Sequence, residues 1–227
     1  MNVLILAAGR GERMRPLTDH TPKPLLRVGG KSLVGHLIEA LARANLRELV
    51  LNYAHLGDQI VAELGNGQAY GVHIAYSAES GGALETGGGI LRALPLLQSD
   101  PFAVINGDIW TDYPFERLPR QLAALAHLVL VDNPEHHPSG DFVLHEGRVS
   151  VPGAPGTHAF PSLTFSGIGV YRRELFERCA PGSFPLAPLL RSQMDRGCVT
   201  GEYYAGQWSD IGTPERLADL DRKLRRH

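Results

Sequence analysis

Hydrophobic positions in the first half of this chain follow two alternating patterns. Runs rich in apolar residues have the length of buried strands, and they occupy residues 3–8, 48–52, 72–76 and 102–105; the first and last contain no polar residue. Between them, apolar residues recur at helical spacing over residues 32–43, 56–64 and 90–97. Strands that alternate with helices predict an α/β fold, with a mainly parallel central sheet and helices on both faces.

The pattern changes at residue 128. A strand at 128–131 leads to shorter, more polar segments, with a turn at 146–147 and a proline- and glycine-rich stretch at 152–161. These features predict a small β-rich insertion rather than another strand–helix unit. The same spacing rules predict the remaining elements, which are a strand at 163–171, helices at 173–178 and 186–196, and a last helix capped by Thr213.

Length and composition indicate an ordinary globular protein. Of the 227 residues, 43% are hydrophobic and 20% are charged, which suits one domain with a sizeable core. The formal net charge of −2 provides no basic surface for nucleic acid. No apolar run approaches the roughly 20 residues that span a bilayer, and the N-terminus lacks a signal-peptide pattern. We therefore expect a cytoplasmic protein without membrane or nucleic-acid partners, and reduced thiols at Cys179 and Cys198.

The first apolar run ends in a glycine-rich segment that is suited to phosphate. Gly9 and Gly11 lack a Cβ, so the main chain can adopt positive φ there and turn successive N–H donors toward phosphate oxygens. Arg13 and Arg15 add positive charge nearby, and Lys23 lies between two prolines in a stiff segment that cannot join a helix. The Walker A and Rossmann glycine patterns do not match this spacing, because neither G-K-[ST] nor a third glycine follows.

A second glycine-rich segment occupies residues 80–89. We predict a loop in which Glu85 or Thr86 contacts the edge of a nucleobase, while Gly87 and Gly88 let the backbone approach the base and ribose. The alternative is a flexible lid without a ligand.

Two aspartates are candidates for binding a metal ion. Asp108 follows the apolar run at 102–105, and ligands of open parallel sheets bind at the carboxyl ends of the strands. Asp210 precedes the last helix. Each aspartate could instead form a helix cap or a turn. The paired histidines His136 and His137 lack further ligands at zinc spacing, so we expect them to be solvated loop residues.

Four segments together resemble the sugar-1-phosphate nucleotidyltransferases. They are L-A-A-G-x-G-x-R-x-x-P-L-T from Leu6, P-K-P-L from Pro22, N-G-D from Asn106 and W-x-D-I-G-T-P from Trp208. The resemblance implies one Rossmann-like, GT-A-like nucleotidyltransferase domain over residues 1–227. Its nucleotide-binding part would be 1–127, its sugar-phosphate-binding part 128–212, and its C-terminal helix 213–227.

The resemblance also implies site residues. Nucleotide-binding positions would be Ala8, Gly9, Gly11, Glu12, Arg13, Lys23, Glu85, Thr86 and Gly87, with Arg13 and Lys23 catalytic. The sugar phosphate would contact Asn106, Gly140, Asp141 and Thr164. Asp108 and Asp210 would hold Mg²⁺.

The implied reaction transfers UMP from UTP to a sugar 1-phosphate. Alternative pairs are GTP with mannose 1-phosphate, CTP with phosphocholine, and UTP with N-acetylglucosamine 1-phosphate. The last activity usually accompanies a hexapeptide-repeat β-helix, and this sequence contains no such repeat. An inactive regulatory protein that binds nucleotide sugars is an alternative of a different class. The oligomeric state is not readable from the sequence.

Overall fold

The computed structural model describes residues 1–157 and 159–225. The described strands are β1 (Val3–Leu6), β2 (Arg27–Val28), β3 (Lys31–Ser32), β4 (Glu48–Tyr53), β5 (His73–Ala78), β6 (Phe102–Asn106), β7 (Ile109–Thr111), β8 (Ala126–Val131), β9 (Phe142–His145), β10 (Arg148–Ser150), β11 (Ser162–Tyr171), β12 (Val199–Tyr203) and β13 (Trp208–Asp210). The described α-helices are α1 (Leu33–Arg43), α2 (Gly57–Leu64), α3 (Glu85–Ala93), α4 (Leu186–Met194) and α5 (Pro214–Leu224). None of these helices could cross a membrane.

A nine-stranded sheet runs through the molecule in the order β5-β4-β1-β6-β11-β8-β12-β10-β9. Only β10 and β11 run against the direction of the other strands, so the predicted α/β fold with a mainly parallel sheet is confirmed. The predicted β-rich insertion is not a separate sheet, because its hairpin β9–β10 extends the far edge of the main sheet. That hairpin turns at Glu146 and Gly147, which both have positive φ, as two-residue hairpin turns require.

Alternation along the strands divides the core into two layers. Val3 and Ile5 pack on the face that α1 and α2 cover, whereas Leu4 packs on the opposite face with α3 and α4. Successive side chains of a strand point to opposite faces, so an unbroken apolar run supplies both layers at once. A third, smaller cluster lies between the segment after β1 and helix α5, where Met14 packs with Ile211 and Leu220.

Helix α3 begins earlier than the sequence pattern indicates. The glycines at 87–89 were expected to form a loop before a helix at 90–97, but all three are buried inside α3. Each has a close neighbour that excludes a side chain. A Cβ would lie 2.3 Å from Phe184 Cε2 at Gly87, 2.1 Å from the Gly182 carbonyl oxygen at Gly88, and 2.8 Å from Asn52 Nδ2 at Gly89. Tertiary packing therefore overrides the weak helix propensity of glycine.

The replacement Gly88→Ala tests this close packing. Alanine in a helix interior normally stabilises a protein by about 1 kcal/mol relative to glycine. Here we expect the free energy of unfolding to fall by about 1–3 kcal/mol, because the new methyl group would meet the rigid Gly182 carbonyl. Urea denaturation measures the difference. Gly81→Ala is the matched control, since no atom lies within 4 Å of its Cβ position. A Gly88→Ala protein as stable as the wild type would contradict the packing.

Candidate functional site

A cleft of about 830 Å³ opens at the carboxyl ends of β1, β4 and β6. The structure brings most of the predicted nucleotide- and metal-binding residues to this one place. Those that line the cleft are Ala8, Gly9, Gly11, Glu12, Arg13, Lys23, Glu85, Thr86, Asn106 and Asp108. Residues from both halves of the chain meet here, since Gly212 also lines the cleft.

The segment after β1 forms a tight turn around Gly11. This residue has a φ of 66°, and a Cβ would lie 3.0 Å from Thr18 Cγ2, so both conformation and space favour glycine. The Gly11 carbonyl accepts hydrogen bonds from the Met14 N–H at 2.8 Å and from Thr18 Oγ1 at 2.8 Å. Gly9 differs from the expectation, because positive φ occurs at Gly11 and not at Gly9. Open space surrounds the position of its missing Cβ.

Lys23 reaches the cleft from a 3-10 turn that follows Pro22. Its side chain is only 10% exposed, and its ammonium contacts the Asp108 carboxylate. Asp108 lies in the turn between β6 and β7, so it is not the helix cap that a lone aspartate after a strand could have been. Arg15, expected beside the phosphate donors, instead forms an ion pair with Asp19 at 3.2 Å and does not line the cleft.

Asp210 is brought beside Asp108 by a two-stranded ribbon. β13 pairs antiparallel with β7 and places Asp210 opposite Ile109, and the Ile211 N–H donates to the Asp108 carbonyl at 2.8 Å. The residues just before β13 are also bound to the segment after β7. Asp112 Oδ1 accepts hydrogen bonds from the Gln207 N–H at 2.7 Å and from the Tyr204 hydroxyl. Burial, and then this hydrogen bond, raise the pKa of the Tyr204 phenol, so it remains a donor at neutral pH.

The two carboxylate oxygens of Asp210 have different surroundings. Oδ2 pairs with Arg216 Nη1 at 2.5 Å, while Oδ1 is buried, 3.0 Å from His136 Nε2, and accepts no hydrogen bond from the described residues. Such a buried acceptor is suited to a cation. The paired histidines are therefore not simply solvated, since His136 contacts Asp210 and His137 Nε2 lies 3.1 Å from Asp141 Oδ1.

The donor set fits a hard cation that shares its coordination with substrate. No cluster of three or more histidine, cysteine, aspartate or glutamate side chains that could hold a metal occurs in the described ranges. Asp108 and Asp210 thus provide two carboxylates, and Mg²⁺ is typically bound by one or two carboxylates together with substrate phosphates and water. Strand pairing places the main chain of Asp210 opposite Ile109, next to Asp108, although Asp210 itself does not line the cleft.

The first turn of α3 and the residues just before it form another wall of the cleft. Glu85 is exposed with a φ of 57°, a conformation that is uncommon for residues other than glycine, and Thr86 follows it. Gly87 is different from the prediction, because it does not line the cleft. Its N–H donates to the Phe184 carbonyl at 2.9 Å, so this glycine serves packing between α3 and residues 182–184.

The predicted sugar-binding residues fall into two places. Asn106 lines the cleft, whereas Gly140, Asp141 and Thr164 cluster around Asn133 beyond the end of β8. Thr164 Oγ1 donates to Asn133 Oδ1 at 2.8 Å, and Asp141 Oδ2 accepts from the Phe165 N–H at 2.9 Å. Their polar atoms thus already have protein partners.

Two cleft residues, Asn52 and Glu79, were missed by the sequence argument. Both are polar yet almost completely buried, with 2% and 4% of their surface exposed. The sequence does contain a signal for both residues. Asn52 is a polar residue near the carboxyl end of β4, and Glu79 directly follows β5 at the same edge of the sheet.

Comparison with known proteins relates both sequence and fold to one family. The family model described as nucleotidyl transferase matches residues 2–143. The N-acetylmuramate alpha-1-phosphate uridylyltransferase of Neisseria meningitidis serogroup B is 50% identical over 96% of this chain and 96% of its own. The protein of the same name from Caulobacter vibrioides is 34% identical over 97% and 96%. A solved structure of a putative glucose-1-phosphate thymidylyltransferase from Bacillus anthracis, in complex with a sucrose, shares the fold with a TM-score of 0.83 and 23% identity, over 99% of this chain and 95% of that chain.

Proposed function

The chain belongs to the nucleotidyl transferase family, and on that premise we propose that it transfers UMP from UTP to N-acetylmuramate α-1-phosphate. The products are UDP-N-acetylmuramate and pyrophosphate. The observation that carries this proposal is the similarity, along almost the entire chain, to two uridylyltransferases named for that substrate. The cleft supports it, because it combines a glycine turn, the cationic side chains of Arg13 and Lys23, and the Asp108 carboxylate, with Asp210 on the adjoining strand.

The chemistry needs no protein nucleophile. The phosphate of the sugar 1-phosphate is already an anion at neutral pH, and its oxygen attacks the α-phosphorus of UTP without a general base. The bond between the α-phosphorus and the bridging oxygen then breaks, and pyrophosphate leaves with that electron pair. The protein has to align the two phosphates and offset their mutual repulsion.

Asp108 and Asp210 would hold Mg²⁺, which supplies positive charge to both phosphate groups. The buried Oδ1 of Asp210, which accepts no hydrogen bond from the described part of the chain, supports this assignment. Lys23 emerges beside Asp108 from a rigid turn, and we assign its ammonium to the α-phosphate and the incoming sugar phosphate.

Arg13 and the turn at Gly11 act on the leaving group. The N–H groups of Glu12 and Arg13 begin a 3-10 turn without a side-chain cap, so they can donate to phosphate oxygens. The Arg13 guanidinium extends toward Gly212, where a Cβ would lie 3.4 Å from Arg13 Nη2. We assign these groups to the negative charge that develops on pyrophosphate.

The remaining residues are assigned to the uracil base and to the sugar phosphate. Glu85 or Thr86 contacts the uracil edge from the first turn of α3. Asn106 contacts the sugar phosphate, and the group Gly140, Asp141 and Thr164 borders the sugar. A UTP-dependent enzyme draws on the nucleotide pool of the cytoplasm, so we place the protein there, in the recycling of peptidoglycan sugars.

A substrate panel tests the function directly. Pyrophosphate release would be measured with Mg²⁺ and four pairs: UTP with N-acetylmuramate 1-phosphate, UTP with N-acetylglucosamine 1-phosphate, GTP with mannose 1-phosphate, and CTP with phosphocholine. We expect kcat/KM for the first pair to exceed the others by about 10²-fold. A higher value for another pair would reassign the substrate, and release from no pair would indicate an inactive binding protein.

Replacing the two cleft cations should slow the reaction. We expect Lys23→Met and Arg13→Met each to lower kcat on the order of 10²-fold, about 3 kcal/mol in the barrier, because they stabilise charge that develops during phosphoryl transfer. Arg15→Met is the matched control, since the Arg15 ion pair with Asp19 is exposed. We expect it to retain kcat within about threefold. Equal losses in Arg13→Met and Arg15→Met would contradict the specific role of Arg13.

Binding of Mg²⁺ can be followed without turnover. In the wild type with UTP and no sugar phosphate, added Mg²⁺ should raise the melting temperature, because a ligand of the native state stabilises it. Asp108→Asn should abolish that increase, since one of two carboxylate ligands is lost. Asp132→Asn, an exposed aspartate after β8, is the control. An undiminished Mg²⁺-dependent shift in Asp108→Asn would remove this residue from the metal site.

A further inference from the structure

A chain of buried hydrogen bonds connects two walls of the cleft. The Ala7 N–H donates to Asn52 Oδ1, Asn52 Nδ2 donates to Glu79 Oε1, and the Leu84 N–H donates to Glu79 Oε2, each at 2.7 Å. We refer to the side chains of Asn52 and Glu79 as the polar bridge. One end of the bridge holds the start of the phosphate turn, and the other holds the residue before Glu85.

The two ends of the polar bridge determine the direction of its hydrogen bonds. Ala7 and Leu84 each present a main-chain N–H, which can only donate. Asn52 can accept one bond and donate the next, and Glu79 must then accept on both carboxylate oxygens. Both side chains are buried, so a mismatched donor or acceptor would find little water to compensate it.

Surrounding elements hold the polar bridge at a fixed place. Asn52 is the last residue but one of β4, in register with Leu6 on one side and Ser77 on the other. Helix α3 lies directly over the bridge, because a Cβ on Gly89 would be 2.8 Å from both Asn52 Nδ2 and Glu79 Oε1. The Gly87 and Gly88 N–H groups, bound to the Phe184 carbonyl, hold the start of α3 from the other side.

We propose that Asn52 and Glu79 are positioning residues that set the distance between the phosphate turn at 7–13 and the base-contacting segment at 84–86. Under the proposed function the cleft binds UTP, so this distance determines whether triphosphate and base can be bound together. Neither side chain has to touch the reacting atoms. Misplacement of either wall weakens nucleotide binding while leaving the sugar-phosphate half of the site intact.

Exchanging the amide and the carboxylate between the two positions tests the proposal. Glu79→Gln alone introduces an N–H that must face either Asn52 Nδ2 or the Leu84 N–H. Asn52→Asp alone places two carboxylates against each other. The double variant Asn52→Asp/Glu79→Gln restores the pattern, because the new amide donates to the new carboxylate and accepts from Leu84. The double variant also carries one carboxylate in the bridge, as the wild type does.

We expect each single variant to raise the KM for UTP about tenfold, comparable to the loss of one buried hydrogen bond. The KM for sugar phosphate should change less than about threefold, and the double variant should return the KM for UTP to within about threefold of the wild type. The Leu84 amide should exchange its hydrogen faster in the single variants and regain protection in the double variant. Ser77→Ala, a buried polar position on the neighbouring strand, is the control and should leave both KM values unchanged.

A purely structural role gives a different result. If the single variants lower the unfolding free energy but keep the wild-type KM for UTP, the positioning role is wrong. It is also wrong if the folded double variant fails to recover that KM. Should the single variants not fold, the double variant alone decides, by its KM for UTP. Failure of the proposed function gives a different result from failure of the positioning role, because the wild type itself would then not turn over UTP. In that case the dissociation constant of UTP is measured for each variant in place of KM.

Discussion

The pairing of β7 with β13 is the constraint on which the candidate site depends. Three residue pairs connect a strand from the middle of the chain to one near its end, and Asp210 thereby lies opposite Ile109. This ribbon joins the main chain at Asp210 to the strand that follows Asp108, and it leads directly to Gly212, which lines the cleft. The small core under α5, with Trp110 packed against Ile211 and Leu220, holds the ribbon to the phosphate-turn half of the molecule.

Charge in the site is balanced locally. Each candidate metal carboxylate has a cationic side chain at hand, Lys23 for Asp108 and Arg216 for Asp210. Partly buried charges are costly unless paired, so these contacts stabilise each carboxylate in the protein without a bound ligand. The same cations suit anionic phosphates. A cleft built from opposed charges can therefore exchange internal ion pairs for contacts to substrate at limited cost in desolvation.

Close packing, rather than flexibility, explains the three glycines at 87–89 inside α3. Phe184, Gly182 and the polar bridge each occupy the space that a side chain would need at Gly87, Gly88 and Gly89. The bridge in turn connects the ends of three neighbouring parallel strands. The nucleotide half of the cleft is thus rigid where it meets the sheet, and its exposed residues, 80–83 and Glu85, project from a fixed base.

Local pattern was sufficient for most of the fold. Apolar runs and helical stripes predicted the buried strands, α1 and the sheet with covered faces, because periodicity and turn preferences act over a few residues. The resemblance carried by the segments around Gly11, Lys23 and Asp108 grouped these residues with Asp210; the first three line the cleft, whereas Asp210 does not. Only tertiary structure decided that α3 starts at Glu85, that Gly87 packs on Phe184, and that His136 contacts Asp210. Those features arise from contacts between residues distant in sequence, which no local pattern records.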